Sequence, residues 1–356
     1  MSSVADAARM IGHWVTLEDL RIDPAKGGHI NASYFVADGS AEPRWLLQRV
    51  NRDVLPSPGK VMHNIEALLA HAALVPDPGI ELPGLLRTPE GAAWVHDAAG
   101  EFWRCWAMRP NARSTTKVTG AGDAREAARA FGAFARFSAA VDASHLAETI
   151  PGFHDTPARL ARLEDSIARN AGRRVDRARE EIAMVLRHRV LAPLLTAPLE
   201  AGMIPTRVAH NDAKIANVLF DGTTGRAAMV IDLDTVMPGT PLFDFGDLVR
   251  SSVSRSAEDT TALDDVVAEP ELYSGLREGY LEGTAGLLTP AEIALLEPAG
   301  RVITWEQAIR FLTDYLDGDV YFATEHRDHN LERARAQLAL LASLERQKDL
   351  FRAIAT

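Results

Sequence analysis

The sequence predicts an α+β protein of two lobes, a small β-rich lobe followed by a larger, mainly helical one. Three observations carry this prediction. The first hundred or so residues hold short runs rich in aromatic and β-branched side chains, the pattern of strands. From about residue 120 the apolar residues recur at helical spacing. One short β-rich island, ending near residue 232, interrupts the helices.

In chain order, "INASYFVA" and "RWLLQRV" read as strands. "SPGKVMHNIEALLAHAAL" reads as a helix opened by Ser-Pro. "GAAWVHDA" and "EFWRCWAM" flank an Ala-Gly pair and read as a hairpin. The polar, proline-containing "MRPNARSTT" marks the lobe boundary, giving lobes of residues 1–110 and 111–356. "GDAREAARAFGAFARFSAAVD" then sets Ala127, Ala130, Phe131, Phe134 and Phe137 on one broad face. Further helical patterns cover roughly 156–201, 270–285, 300–317 and 330–353. The island consists of "NVLFD", a "GTTGR" turn and "AAMVID".

Composition narrows the function. Lys and Arg total 38 against 49 Asp and Glu, a net charge of −11, which argues against a nucleic-acid footprint. A small-molecule ligand remains open, because a few local cations and a metal suffice to hold a nucleotide. The single cysteine, Cys105, permits no disulfide within the chain, as in a reducing compartment. "MSSVADAARM" lacks the basic and apolar regions of a secretory signal. "EALLAHAALV" is too short to span a bilayer and is broken by His71. A cytoplasmic protein with no membrane partner is expected. Oligomeric state is not legible.

The chemistry gathers in the island. "AHNDAKIAN" contains H-x-D-x-x-x-x-N, formed by His210, Asp212 and Asn217. The spacing is that of a catalytic loop for phosphoryl transfer. Asp232 follows at the end of the apolar run "AAMVI". Phosphoryl transfer needs positioning and charge neutralisation more than covalent help. Magnesium takes hard oxygen ligands, usually one or two carboxylates with phosphates and water. Asp232 and Asn217 offer such oxygens. Asp212 lies where an acceptor hydroxyl gives up its proton. His210 reads as a packing and hydrogen-bonding support rather than a base. Each acid taken alone is also an ordinary turn or cap former; the joint pattern with strand context is what points to a site.

Two other readings compete for these residues. "MVIDLDTV" fits the D-x-D signature of haloacid-dehalogenase-type phosphatases, and "LDDVV" resembles their late acidic pair. That signature normally precedes an alternating βα pattern, whereas helical sequence follows here. The second is a catalytically idle nucleotide-binding scaffold. "PLFDFGDLVR" also holds a literal D-F-G, but Asp232 already supplies the expected metal aspartate. Asp244 and Asp247 are instead expected just before a helix "LVRSSV", capping its N–H groups.

These residues resemble the aminoglycoside phosphotransferase and choline kinase superfamily, which has a protein-kinase-like fold. Within it the chain looks most like the N-acetylhexosamine 1-kinases. The matching stretches include "GGHIN", "LLQRVN", "TIPGFHDTP", "HNDAKIANVLFD", "VIDLDTVMPGT" and "RFLTDYLDGDVYF". Together they run from residue 27 to about 336. The resemblance implies transfer of the γ-phosphoryl of ATP, with Mg2+, to the anomeric hydroxyl of an N-acetylhexosamine. It implies Asp212 as base and Asn217 and Asp232 as metal ligands. It places His29, Thr235, Arg310 and Tyr321 in a sugar pocket, although each also reads as a structural residue. An aminoglycoside, choline or another small alcohol is the same-class alternative acceptor. An acidic acceptor pocket favours a cation, and neutral polar residues with one Arg favour a sugar.

The chain departs from the pattern in places. The residue after the base is Ala213, where relatives often carry Thr. The third strand of a kinase normally offers Lys to the nucleotide phosphates; "WLLQRVN" offers Arg49 instead. Alternation lets only one of Gln48 and Arg49 enter the cleft. Arg49 is the expected one, with Glu66 as its ion-pair partner. Gly28, in "KGGHINAS", is expected to cover phosphates with backbone N–H groups. Met108 is expected beside the adenine at the lobe junction.

Overall fold

The structure, a computed structural model, describes residues 3–354 apart from 18, 26–29, 41 and 76. Gly28 and His29 therefore lie outside the described residues. The chain opens with α1 (Val4–Ile11), closed by a Ser3/Asp6 capping box. Strands β1 (Arg21–Pro24), β2 (Ala32–Ala37) and β3 (Trp45–Arg49) follow, then α2 (Pro58–Ala72). Strands β4 (Gly84–Leu85), β5 (Trp94–His96) and β6 (Phe102–Ala107) complete an antiparallel sheet of order β1-β2-β3-β6-β4, with β5 paired to β6. The hairpin and the α2 helix are as the sequence predicts. The helix α1 replaces what reads as strand-rich sequence.

The second region begins with β7 (Ala112–Arg113) and α3 (Ala121–Ser138). The expected helical span 156–201 holds α4 (Thr156–Arg169), α5 (Arg179–Arg187) and α6 (Pro193–Glu200). Asn170 ends α4 in the left-handed region, and Pro193 opens α6. Next come β8 (Arg207–Ala209), β9 (Val218–Asp221), β10 (Ala227–Val230) and β11 (Met237–Gly239). β9 pairs with β10 and β7, and β8 with β11, all antiparallel. The helices α7 (Pro241–Ser252), α8 (Pro270–Thr284), α9 (Pro290–Asp317), α10 (His329–Arg346) and α11 (Lys348–Ala353) finish the chain. The architecture is α+β and kinase-like. Among the described residues every strand pair is antiparallel, without the parallel sheet that the phosphatase reading requires, and that reading falls.

The region after residue 120 is organised by two helix packings. α9 is largely buried along its length and packs against α10, α7 and α4. It begins ten residues before the expected 300, at a Thr289/Glu292 capping box. α3 and α8 approach unusually closely, because Gly275, Gly279 and Gly283 recur every fourth residue on one face of α8. A Cβ at Gly279 would run into the carbonyl oxygen of Arg125, and one at Gly132 would lie 2.5 Å from that of Tyr280. The neighbours are backbone and cannot rotate away.

Two cores result. One lies in the helical region and extends under α2 and the inner face of the sheet. The other packs α1 on the outer sheet face, around Tyr34, Leu47 and Trp103. No single helix among the described residues is long and apolar enough to cross a membrane. Substituting Gly279→Ala is expected to lower stability by about 1–3 kcal/mol through overpacking. A denaturation midpoint equal to wild type would show that α3 and α8 can separate freely.

Candidate active site

The loop between β8 and β9 carries His210, Asp212 and Asn217, and its shape is imposed by buried groups around it. His210 is fully buried, edge-on to Phe131 and Phe134, with its Nε2 3.0 Å from the Ile231 carbonyl. It is the support that the sequence suggests. Asn211 adopts φ 64°, a left-handed turn for which Asn is suited, and its Nδ2 donates to the carbonyls of Ala209 and Thr235. Asp244 then fixes the loop. Its carboxylate accepts the backbone N–H groups of His210 and Asn211 at 3.0 and 2.7 Å.

Asp244 is therefore not a helix cap. α7 starts at Pro241 with Thr240 as its N-cap, so Asp244 sits inside the first turn and points to the loop. Burial pushes its carboxyl above the usual range, and its hydrogen bonds oppose that shift. Asp247 is likewise within the helix and pairs with Arg250 at 2.6 Å.

Asp212 faces the cleft, one quarter exposed. Lys214 Nζ lies 2.8 Å from its Oδ2, and Asn217 Nδ2 donates to the same oxygen at 2.9 Å. Burial opposes ionisation here, but the Lys214 ammonium outweighs it and holds Asp212 down to about 2. Lys214 was not singled out in the sequence, although its place two residues after the Asp was visible. With its Nδ2 so engaged, Asn217 keeps Oδ1 free for a cation.

Asp232 lies two residues beyond the end of β10, not at the strand end. Its φ of 63° turns its carboxylate out of the strand line. Among the described residues that carboxylate accepts no hydrogen bond. Asp232 is exposed to solvent. Desolvation by the neighbouring protein, with the charges of Asp234 and Asp212, raises its carboxyl above the usual range. A cleft that resists anionic charge here, beside the free Asn217 oxygen, fits a divalent cation with phosphate oxygens completing its shell. No group of three His, Cys, Asp or Glu side chains forms a closed metal cage among the described residues.

A buried pair ties this wall to the sheet. Arg104 of β6 holds Asp234 through both guanidinium nitrogens, at 2.5 and 2.8 Å, and both side chains are 2% exposed. Gln48 Oε1 accepts from Arg104 and from Trp106 Nε1, and Asn31 Nδ2 donates to Asp234 at 2.8 Å. From α2, Asn64 donates to the carbonyls of Ala147 and Val236. Arg104 was missed in the sequence; an arginine amid the apolar "FWRCWA" was the available signal.

The same register corrects the third-strand expectation. Gln48 stands opposite Arg104 on the inner face, and Arg49 opposite Trp103 on the outer face. Arg49 pairs with Glu101 at 3.4 Å, and Glu66 pairs with Arg87 at 2.7 Å. The Arg49–Glu66 pair is not formed. Met108 spends its N–H on the Arg44 carbonyl at 2.8 Å, extending the β3–β6 ladder and leaving only its own carbonyl to a ligand. Thr235 is buried and donates its hydroxyl to the His210 carbonyl at 2.7 Å, which makes it a brace of the loop.

Arg310 and Tyr321 do come together, in a side cleft with Arg159 and Phe322. Asp314 makes this cleft. Its carboxylate accepts the N–H groups of Val320, Tyr321 and Phe322, folding the segment after α9 back over Arg310. The cleft reaches the catalytic loop through His154, whose Nδ1 lies 2.7 Å from Glu306 and whose Nε2 lies 3.3 Å from the Asn211 carbonyl. Thr156 donates to the other Glu306 oxygen at 2.6 Å.

Two outcomes test this framework. Asp244→Ala strands two N–H groups, at about 1–3 kcal/mol each, and is expected to lower both the denaturation midpoint and turnover. A variant with wild-type stability would show the contact to be idle. Burial opposes ionisation of Glu306, but His154 and Thr156 outweigh it and keep the carboxyl below its usual range. Its contribution is present above the unfolded-state value of about 4.3 and is lost as pH falls below it. Glu306→Gln is thus expected to flatten the acid limb of the stability–pH curve; an unchanged slope would count against the pairing.

Comparison with known proteins bears on the fold and the family. Solved structures similar to the whole chain include a microcompartment-associated aminopropanol kinase, 21% identical, covering 98% of each chain with a TM-score of 0.66. A choline kinase from Cryptosporidium parvum Iowa II is 14% identical over 96% of this chain and 92% of its own, with a TM-score of 0.61. A spectinomycin phosphotransferase in complex with ADP and spectinomycin is 11% identical over 97% and 99%, with a TM-score of 0.58. These likenesses establish the kinase-like fold. A sequence model of the phosphotransferase enzyme family matches residues 21–287, most of the chain. On that match the chain belongs to the phosphotransferase enzyme family.

Proposed function

We propose that this small-molecule phosphotransferase moves the γ-phosphoryl of ATP to the anomeric C1 hydroxyl of a sugar, with an N-acetylhexosamine as the leading acceptor. Residues 1–110 are taken as the nucleotide-binding lobe and 111–356 as the acceptor-binding and catalytic lobe. One observation carries the reading. Asp212 is hydrogen-bonded to Lys214 and Asn217, and Asp232 lies close enough for its charge to act on Asp212 and Lys214.

Asp212 is ionised throughout the neutral range and accepts the acceptor's proton. A hemiacetal hydroxyl is more acidic than an ordinary alcohol, so a carboxylate held at about 2 need not be a strong base. Lys214, 2.8 Å from Asp212, is placed to offset charge on the moving phosphoryl. Asp232 and Asn217 would hold Mg2+, which would neutralise the phosphate oxygens. ADP in the spectinomycin phosphotransferase supports an adenine nucleotide.

The runner-up is a kinase for an aminoglycoside, choline or another amino alcohol. Its support is the company of an aminopropanol kinase and a choline kinase. The side cleft speaks against it, since arginines line it and none of its carboxylates is free to meet an ammonium.

The test is to incubate the protein with Mg–ATP and a panel of sugars, choline and aminoglycosides, following ADP release. Any sugar consumed is expected to lose its reducing end, and retained reducing power would sink the C1 assignment. Asp212→Asn is expected to lower turnover by about 10²–10⁴-fold while nucleotide still binds. Nucleotide binding with no transfer to any acceptor would favour an idle scaffold.

A further inference from the structure

The side cleft contains a charge arrangement that a neutral sugar does not explain. Arg159 of α4 and Arg310 of α9 lie against the same Phe153 ring, 6.0 and 4.8 Å from its centre. Neither guanidinium forms an ion pair among the described residues. Arg159 donates only to the Phe153 carbonyl, at 3.0 and 3.3 Å, and Arg310 only to Gln307 at 3.0 Å. The exposed Arg162 adds a third positive charge at the rim.

The nearby carboxylates are already engaged. Glu306 is buried between His154 and Thr156. Asp314 accepts three backbone N–H groups and Asn330 Nδ2. Asp317 pairs with Arg169 at 3.0 Å. Burial first, and then the like charge of Arg310, lowers the Arg159 guanidinium from its ordinary value. Two partly buried guanidiniums are held beside one ring; Glu306 acts on them only at longer range and no carboxylate bonds to either, so they make a site that a planar or tetrahedral anion would complete.

The cleft is also close to the chemistry. Phe153 precedes His154, which contacts the Asn211 carbonyl one residue before Asp212. Glu306 and Arg310 stand one helical turn apart on α9, about 6 Å along its axis.

We propose that Arg159 and Arg310 form an anion subsite, which narrows the acceptor from a neutral N-acetylhexosamine to a sugar bearing a carboxylate or phosphate substituent away from the hydroxyl that is phosphorylated. The substrate class rests on the sugar 1-kinase reading, whereas the anion subsite itself does not. The same site disfavours cationic acceptors by direct repulsion.

Calorimetry with D-glucuronate, D-glucose 6-phosphate and D-glucose tests the subsite apart from catalysis. Wild type is expected to bind at least one of the two anionic sugars about tenfold or more tighter than glucose. The preferred anion distinguishes a carboxylate from a phosphate. Arg159→Gln is expected to bring that preference close to one, and Arg159→Lys to retain part of it. If glucose binds wild type as well as both anions do, the subsite is overturned. It is also overturned if Arg159→Gln leaves the preference intact. If the preference appears and depends on Arg159 but no sugar is phosphorylated, the subsite stands and the 1-kinase reading falls.

Discussion

The buried Arg104–Asp234 pair is the constraint on which the rest of the site depends. A bidentate ion pair at 2% exposure gives up the hydration of both charges, and its attraction does little more than repay that loss. What it supplies is geometry. The guanidinium belongs to a central strand of the sheet, and the carboxylate to the turn that also bears Asp232. Neither charge can be left alone in the interior without a cost of several kcal/mol. The turn is therefore held against the sheet, and Asp232 is held in its left-handed conformation at the cleft edge. Gln48 is recruited by the same guanidinium, so the third strand ends up presenting an amide inward where a cation was expected.

Around this anchor, three aspartates of similar sequence context acquire separate tasks from their surroundings. An ammonium beside Asp212 keeps it charged. Crowding and like charges make Asp232 reluctant to ionise unless a cation arrives. Asp244 never reaches the cleft and spends both oxygens on loop backbone. Environment, not residue type, separates the proposed base, the proposed cation site and the brace.

Much of this was legible in the sequence. The H-x-D-x-x-x-x-N spacing, the flanking strands and the helical second lobe all follow from local patterns. What was not legible has physical causes. Gln48 and Arg49 are adjacent and both polar, so alternation says that one faces inward but not which; the pairing of Arg104 decides it. Asp244 acts on a loop more than thirty residues earlier, and no local pattern encodes that contact. The Thr235 hydroxyl turns toward a carbonyl made available only by the left-handed Asn211. The unexpected α1 and the early start of α9 were written in the capping boxes "SVAD" and "TPAE", signals outweighed by the apolar pattern around them.

Glu306, Arg310 and Asp314 follow one another every fourth residue along α9, and so share one face of a single buried helix. The first reaches the catalytic loop through His154, the second faces the side cleft, and the third folds the closing segment over it. These tasks are geared together mechanically. Inserting or deleting one residue in α9 would turn the face by about 100° and disengage all three at once. Evolutionary change in this cleft is thereby channelled into side-chain replacement at fixed stations, with the helix itself serving as an indexed shaft.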